Sequence, residues 1–158
     1  MLIKCISKTA KSLPQDLLSP RSRFTQETEF NLIESKEYIV YAMTIRMGYV
    51  WYYICDESYG YFPIWKPSPL FQVISGKMSR YWIFAFYPET ERYISQTLWA
   101  YPEWTNKPYQ YYDRLSDGEE EEVKIFKQYK ALMDVEFPIP SNTCIPEALD
   151  KTCPSHSA

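Results

Sequence analysis

Histidine is nearly missing from this chain of 158 residues, whose one imidazole belongs to His156 in the C-terminal tail. Ser-His-Asp and Cys-His catalysis would both hang on that side chain, and general acid–base work most often uses histidine, so no enzymatic activity is expected. Glycine is scarce as well. Gly48, Gly60, Gly76 and Gly118 stand far apart, which excludes a glycine-rich phosphate loop. Cys5, Cys55, Cys144 and Cys153 include no CxxC pair, and their spacing does not suggest a zinc site. No metal or cofactor is expected. The longest apolar stretches, Tyr49 to Cys55 and Tyr81 to Tyr87, fall far short of the roughly 20 residues that span a bilayer. An excess of positive charge is also lacking: 17 Lys and Arg stand against 20 Asp and Glu, a net of -3. Nucleic-acid binding needs clustered positive charge, so neither a nucleic-acid nor a membrane partner is expected.

Rings are abundant. Aromatic residues make up 18% of the chain and tyrosine alone contributes 15, a composition that suits strands, a core of large side chains and binding faces. The length favours one domain able to bury a core without disulfides or metal. Lys4, Lys8 and Lys11 interrupt the N-terminal apolar residues, so no signal-peptide core is expected there. The expectation is a cytoplasmic protein with free thiols, although Cys144 and Cys153 could close a small loop under oxidising conditions.

Residues 1–29 read as a basic lead-in that partly packs on the domain, with Pro14 and Pro20 breaking any long element. Residues 30–138 form the expected α+β domain and 139–158 a proline-containing extension. Tyr38 to Ile45 has the β-branched and aromatic composition of one strand, Arg46-Met47-Gly48 supplies a turn, and Tyr49 to Cys55 runs back as a central strand, apolar on both faces. The segment Phe62 to Pro69 has three prolines and cannot be a central strand, so it is expected as a stiff aromatic loop. Leu70 to Ile74, Tyr81 to Tyr87 and Tyr93 to Trp99 bring the number of expected strands to about five. The expected architecture is a small twisted antiparallel sheet, or a partly open SH3-like β-barrel, with one C-terminal amphipathic helix packed on it. Pro102 to Tyr112 is expected to be irregular. Asp117-Gly118-Glu119-Glu120 resembles a capping box, and Ile125, Phe126, Tyr129, Leu132 and Met133 then make one apolar helical stripe.

The sharpest polar feature lies at that helix start. Asp113, Asp117, Glu119, Glu120, Glu121 and Glu122 stand against Arg114 alone, whereas residues 1–23 hold five basic residues and one acid. Two roles are open to the acids: a docking face that steers a basic partner, or a solvated helix start whose charge complements the dipole. Among the rings near it, Trp104, Tyr111 and Tyr112 are candidate interface anchors, because Trp and Tyr are enriched at hot spots. They could equally form a second buried cluster. A small interaction module that grips a peptide with the aromatic loop from Tyr59 to Pro69 is the alternative function.

The runs Lys36-Glu37-Tyr38-Ile39-Val40-Tyr41, Trp51-Tyr52-Tyr53-Ile54-Cys55-Asp56, Pro67-Ser68-Pro69-Leu70-Phe71-Gln72-Val73, Ser79-Arg80-Tyr81-Trp82 and Ile125-Phe126-Lys127-Gln128-Tyr129 together resemble small bacterial immunity proteins. Such proteins are encoded beside polymorphic toxins, including those of contact-dependent growth inhibition. The resemblance covers about residues 30–138 as a general pattern. It implies a cytoplasmic inhibitor that binds the C-terminal toxic domain of a cognate effector, often a nuclease, and blocks it. Immunity proteins differ widely in fold, so the resemblance adds little about architecture. Oligomeric state is not fixed by these residues, although an unpaired strand edge would permit a symmetric dimer.

Overall fold

A computed structural model describes residues 1–19, 23–91 and 96–140; Cys144, Cys153 and His156 lie outside them. Two antiparallel sheets and three helices build the α+β fold. Strands β1 (Leu2–Cys5), β2 (Glu37–Ile39) and β6 (Phe71–Ser75) form one sheet in the order β2-β1-β6. Strands β3 (Ala42–Arg46), β4 (Tyr49–Ile54), β5 (Ile64–Pro67), β7 (Ile83–Tyr87) and β8 (Gln96–Ala100) form the other, in the order β5-β4-β3-β8-β7. Neither sheet closes on itself, and among the described residues eight strands in two sheets and three helices stand where about five strands and one helix are expected.

The stretch expected as a lead-in supplies β1, the middle strand of the smaller sheet, with Ile3 and Cys5 buried. The single strand expected from Tyr38 to Ile45 is divided between the sheets at Val40 and Tyr41. There the Val40 N–H bonds the Met1 carbonyl at 3.2 Å and the Tyr41 N–H bonds the Tyr53 carbonyl at 2.8 Å. No turn residue marks the division, because each backbone donor simply passes from one sheet to the next. The β3–β4 hairpin forms as expected, with a two-residue loop in which Met47 and Gly48 both take positive φ. That conformation matches the twist of the flanking strands, and glycine adopts it without a steric penalty. Strand β4 is central and buried on both sides: Tyr52 meets Phe71 of the smaller sheet at 6.0 Å, and Tyr53 meets Trp104 of the helical layer at 4.9 Å.

The prolines around Trp65 do not prevent a strand. They place one at an edge, where β5 needs donors on one side only and Pro67 closes it opposite Trp51. Pro102 to Tyr112 is likewise not irregular. Prolines open both α1 (Pro102–Asn106) and α2 (Pro108–Ser116), at positions whose N–H would have no helical acceptor.

Asp56 and Lys66, on and beside β4 and β5, form an ion pair at 2.7 Å with side chains 1% and 10% exposed. The Ser58 N–H donates to the second Asp56 oxygen at 2.8 Å, and the Lys66 ammonium lies 5.8 Å from the centre of the Phe30 ring. Removing one member leaves the other charged in an apolar setting. Asp56→Ala is expected to destabilise the fold by about 3–5 kcal/mol in denaturant titration, and Asp56→Asn with Lys66→Met by clearly less. Equal losses in the two variants would show that the pair is not the cause.

Candidate interaction surface

Helix α2 is joined to α3 (Glu120–Glu136) by a tight connection built on Gly118. The Gly118 N–H bonds the Leu115 carbonyl at 3.1 Å, the Glu119 N–H bonds the Arg114 carbonyl at 3.0 Å, and Gly118 has φ +82°. This is a Schellman closure, in which a glycine in the left-handed region lets two backbone donors satisfy the last carbonyls of a helix. Asp117 therefore ends α2 and does not begin α3. The capping box expected from Asp117 and Glu120 is not formed: the residue before α3 is Glu119, and no side chain caps it.

The apolar stripe of α3 also differs from expectation. Phe126 and Met133 are buried as foreseen, but Leu132 is 44% exposed, and the inward row continues through Glu122 at one end and Phe137 at the other. Glu122 is thus an acid on the core side of its helix. Arg114 of α2 meets it, Nε to Oε1, at 2.6 Å, and this contact holds the Glu122 carboxyl below the usual carboxylate range against the opposing effect of burial. Above the pair, the Tyr111 hydroxyl donates to the Glu122 backbone carbonyl at 3.2 Å. With its proton used there, Tyr111 accepts from the Tyr101 hydroxyl at 2.8 Å. Burial pushes both phenols above their ordinary range, so they remain donors at any physiological pH.

Of the acids singled out by sequence, Asp113, Asp117, Glu119, Glu120 and Glu121 are exposed around the α2–α3 connection. None of the five takes part in an ion pair among the described residues. Glu122 is set apart from them, buried and neutralised by Arg114. The expected anchors are not at the surface. Trp104 is 1% exposed and Tyr111 5%, while Tyr112 stacks on Trp104 at 5.4 Å and donates its hydroxyl to the Pro63 carbonyl at 3.0 Å. These rings join helices to sheet. What the structure brings together is the carboxylate cluster; Trp104 and Tyr111 lie away from solvent and Tyr112 is half-buried.

Sequence reasoning missed a second surface. On the face of the larger sheet that carries Phe84, strand β7 exposes Phe84 at 56% and Phe86 at 59%, with Ile45 of β3 at 46%. The pairings Phe84↔Trp99, Phe86↔Thr97 and Met43↔Trp99 put these residues on one side of the sheet. Alternate Phe residues in Tyr81 to Tyr87 were the available signal. Tyr81 to Tyr87 is expected only as one strand among about five, and the strand order alone reveals that β7 is an end strand.

Cys55 lines a shallow groove with Tyr41, Lys130 and Asp134, and burial pushes its thiol up to about 12, so little thiolate exists at neutral pH. Among the described residues no group of His, Cys, Asp and Glu is arranged to hold a metal, and no helix is long and apolar enough to cross a membrane. No known protein family, curated protein or solved structure matches the chain.

Because Arg114 lowers the Glu122 pKa, the folded chain binds fewer protons than the unfolded chain just below the ordinary carboxylate value of about 4.3. The stability it supplies is complete above that value and is lost as pH falls through the folded pKa. Glu122→Gln is expected to reduce the acid dependence of urea unfolding between about pH 3 and 5. Parallel pH profiles for the two proteins would contradict this assignment.

Proposed function

We propose that this chain is an immunity protein that binds and neutralises a cognate bacterial toxin domain in the cytoplasm by stoichiometric occlusion, without catalysis of its own. The observation that carries the proposal is the cluster of Asp113, Asp117, Glu119, Glu120 and Glu121, exposed on one helical connection and outside the ion pairs among the described residues. A nuclease must attract phosphates and so presents a basic cleft, to which such a cluster is complementary. The resemblance of the sequence pattern to immunity proteins motivates the same reading. Steering comes from the five exposed acids, whereas Glu122 serves the fold.

Replacing Asp113, Asp117, Glu119, Glu120 and Glu121 with lysine, with Glu122 and Arg114 retained, tests the proposal. The partner is the toxin domain encoded by the adjacent gene, and association is followed by stopped flow at several salt concentrations. The unaltered chain is expected to bind one to one with a rate that falls steeply with ionic strength, and the reversed chain to associate about tenfold more slowly or worse. Absence of a complex, or an unchanged association rate after reversal, would defeat the proposal.

A further inference from the structure

Among the described residues, strand β7 ends the five-stranded sheet, and its own sequence carries no charge, proline or bulge to protect that edge. Ile83-Phe84-Ala85-Phe86-Tyr87 contains no charge and no proline, and its pairing with β8 runs through five residues without a bulge. Such an edge is a template for another strand. Ile83, Phe84 and Phe86 are 46%, 56% and 59% exposed, and the Phe84 ring is braced against Trp99 at 4.8 Å.

We propose that the occupant is β7 of a second copy of this chain, paired antiparallel about a two-fold axis through Ala85. This register sets Phe84 of one copy opposite Phe86 of the other, twice, on one face, and Ile83 opposite Tyr87, twice, on the other face. Aromatic and aliphatic cross-strand pairs of this kind are the stabilising units of a sheet. Charge selects the same arrangement. Arg80 precedes the strand, its side chain 69% exposed although it also pairs with Glu136 of its own chain at 3.6 Å, and Glu89 and Glu91 follow the strand, also exposed. Antiparallel pairing brings each Arg80 to the acidic end of the partner strand, whereas parallel pairing would gather like charges. Pro88 has no N–H and limits the ladder to the five residues of β7. The two five-stranded sheets become one continuous sheet of twice the width, and the interface is isologous.

Sedimentation velocity of the full chain over a concentration series tests the inference. The unaltered chain is expected to show a reversible monomer–dimer equilibrium, and the amides of residues 83–87 to exchange more slowly as concentration rises. Phe84→Lys with Phe86→Lys is expected to weaken the dimer about tenfold or more, with an unchanged circular dichroism spectrum, while Val135→Lys on α3 leaves it intact. Glu89→Lys with Glu91→Lys should also weaken association, with the Arg80–Glu136 pair of each chain left in place. A chain that stays monomeric at its highest soluble concentration, including one that docks this edge only on a different protein, would overturn the inference. So would a dimer that survives the paired Phe substitutions, or one that reversal of Glu89 and Glu91 leaves unweakened. None of these readouts depends on the toxin, so the dimer and the proposed inhibition stand or fall separately.

Discussion

Trp104 lies between the larger sheet and the helices, edge-on to Tyr53 of β4 at 4.9 Å and stacked on Tyr112 of α2 at 5.4 Å. Tyr101 extends the layer, stacked on Tyr129 of α3 at 4.1 Å and linked by its hydroxyl to Tyr111. Each such ring pair contributes about 0.5–1.5 kcal/mol beyond the burial of its area. More importantly, the layer fixes which side of each helix faces inward. Once Tyr111 and Leu115 of α2 and Phe126 and Met133 of α3 are committed to the core, the acids between them must face outward or find a partner. Glu122 finds Arg114, and the other five remain in solvent. The charge polarity of the surface is therefore a consequence of ring packing inside it.

Buried tyrosine hydroxyls keep the layer compatible with a dry interior. Tyr101, Tyr111 and Tyr112 end on one another or on backbone carbonyls, and Tyr41 donates to Asp134 at 2.7 Å, which Lys130 also holds at 2.6 Å. Each of these phenols supplies a large apolar body and a donor at its tip, and each donor has an acceptor. A fold so rich in tyrosine can therefore be dense while these hydroxyls stay paired.

Composition and local pattern revealed the α+β class, the β3–β4 hairpin, the buried central strand β4 and the helix from Glu120 onward. Each is written in neighbouring residues: Gly48 at the turn, apolar residues at every position of Tyr49 to Ile54, and acids before lysines along α3. What escaped depends on partners distant in sequence. The sheet change at Val40 and Tyr41 depends on Met1 and Tyr53, and nothing in the run from Tyr38 to Ile45 signals it. Proline is expected to break elements throughout, whereas at Pro102 and Pro108 it starts helices and at Pro67 it closes an edge strand. Trp104 and Tyr111 could have been surface anchors or core by composition, and tertiary packing placed them in the core. The same dependence hid the exposed β7, since an alternating aromatic strand looks alike whether or not a neighbour covers it.

The account rests on the claim that the α2–α3 connection is the face offered to a protein partner, with the ring layer beneath it as support. Amide hydrogen exchange of the full chain, alone and saturated with the proposed toxin-domain partner, addresses that claim most directly. The account predicts added protection across residues 113–121 and little change at the already buried Trp104. A complex whose footprint leaves residues 113–121 exchanging as in the free chain would contradict it.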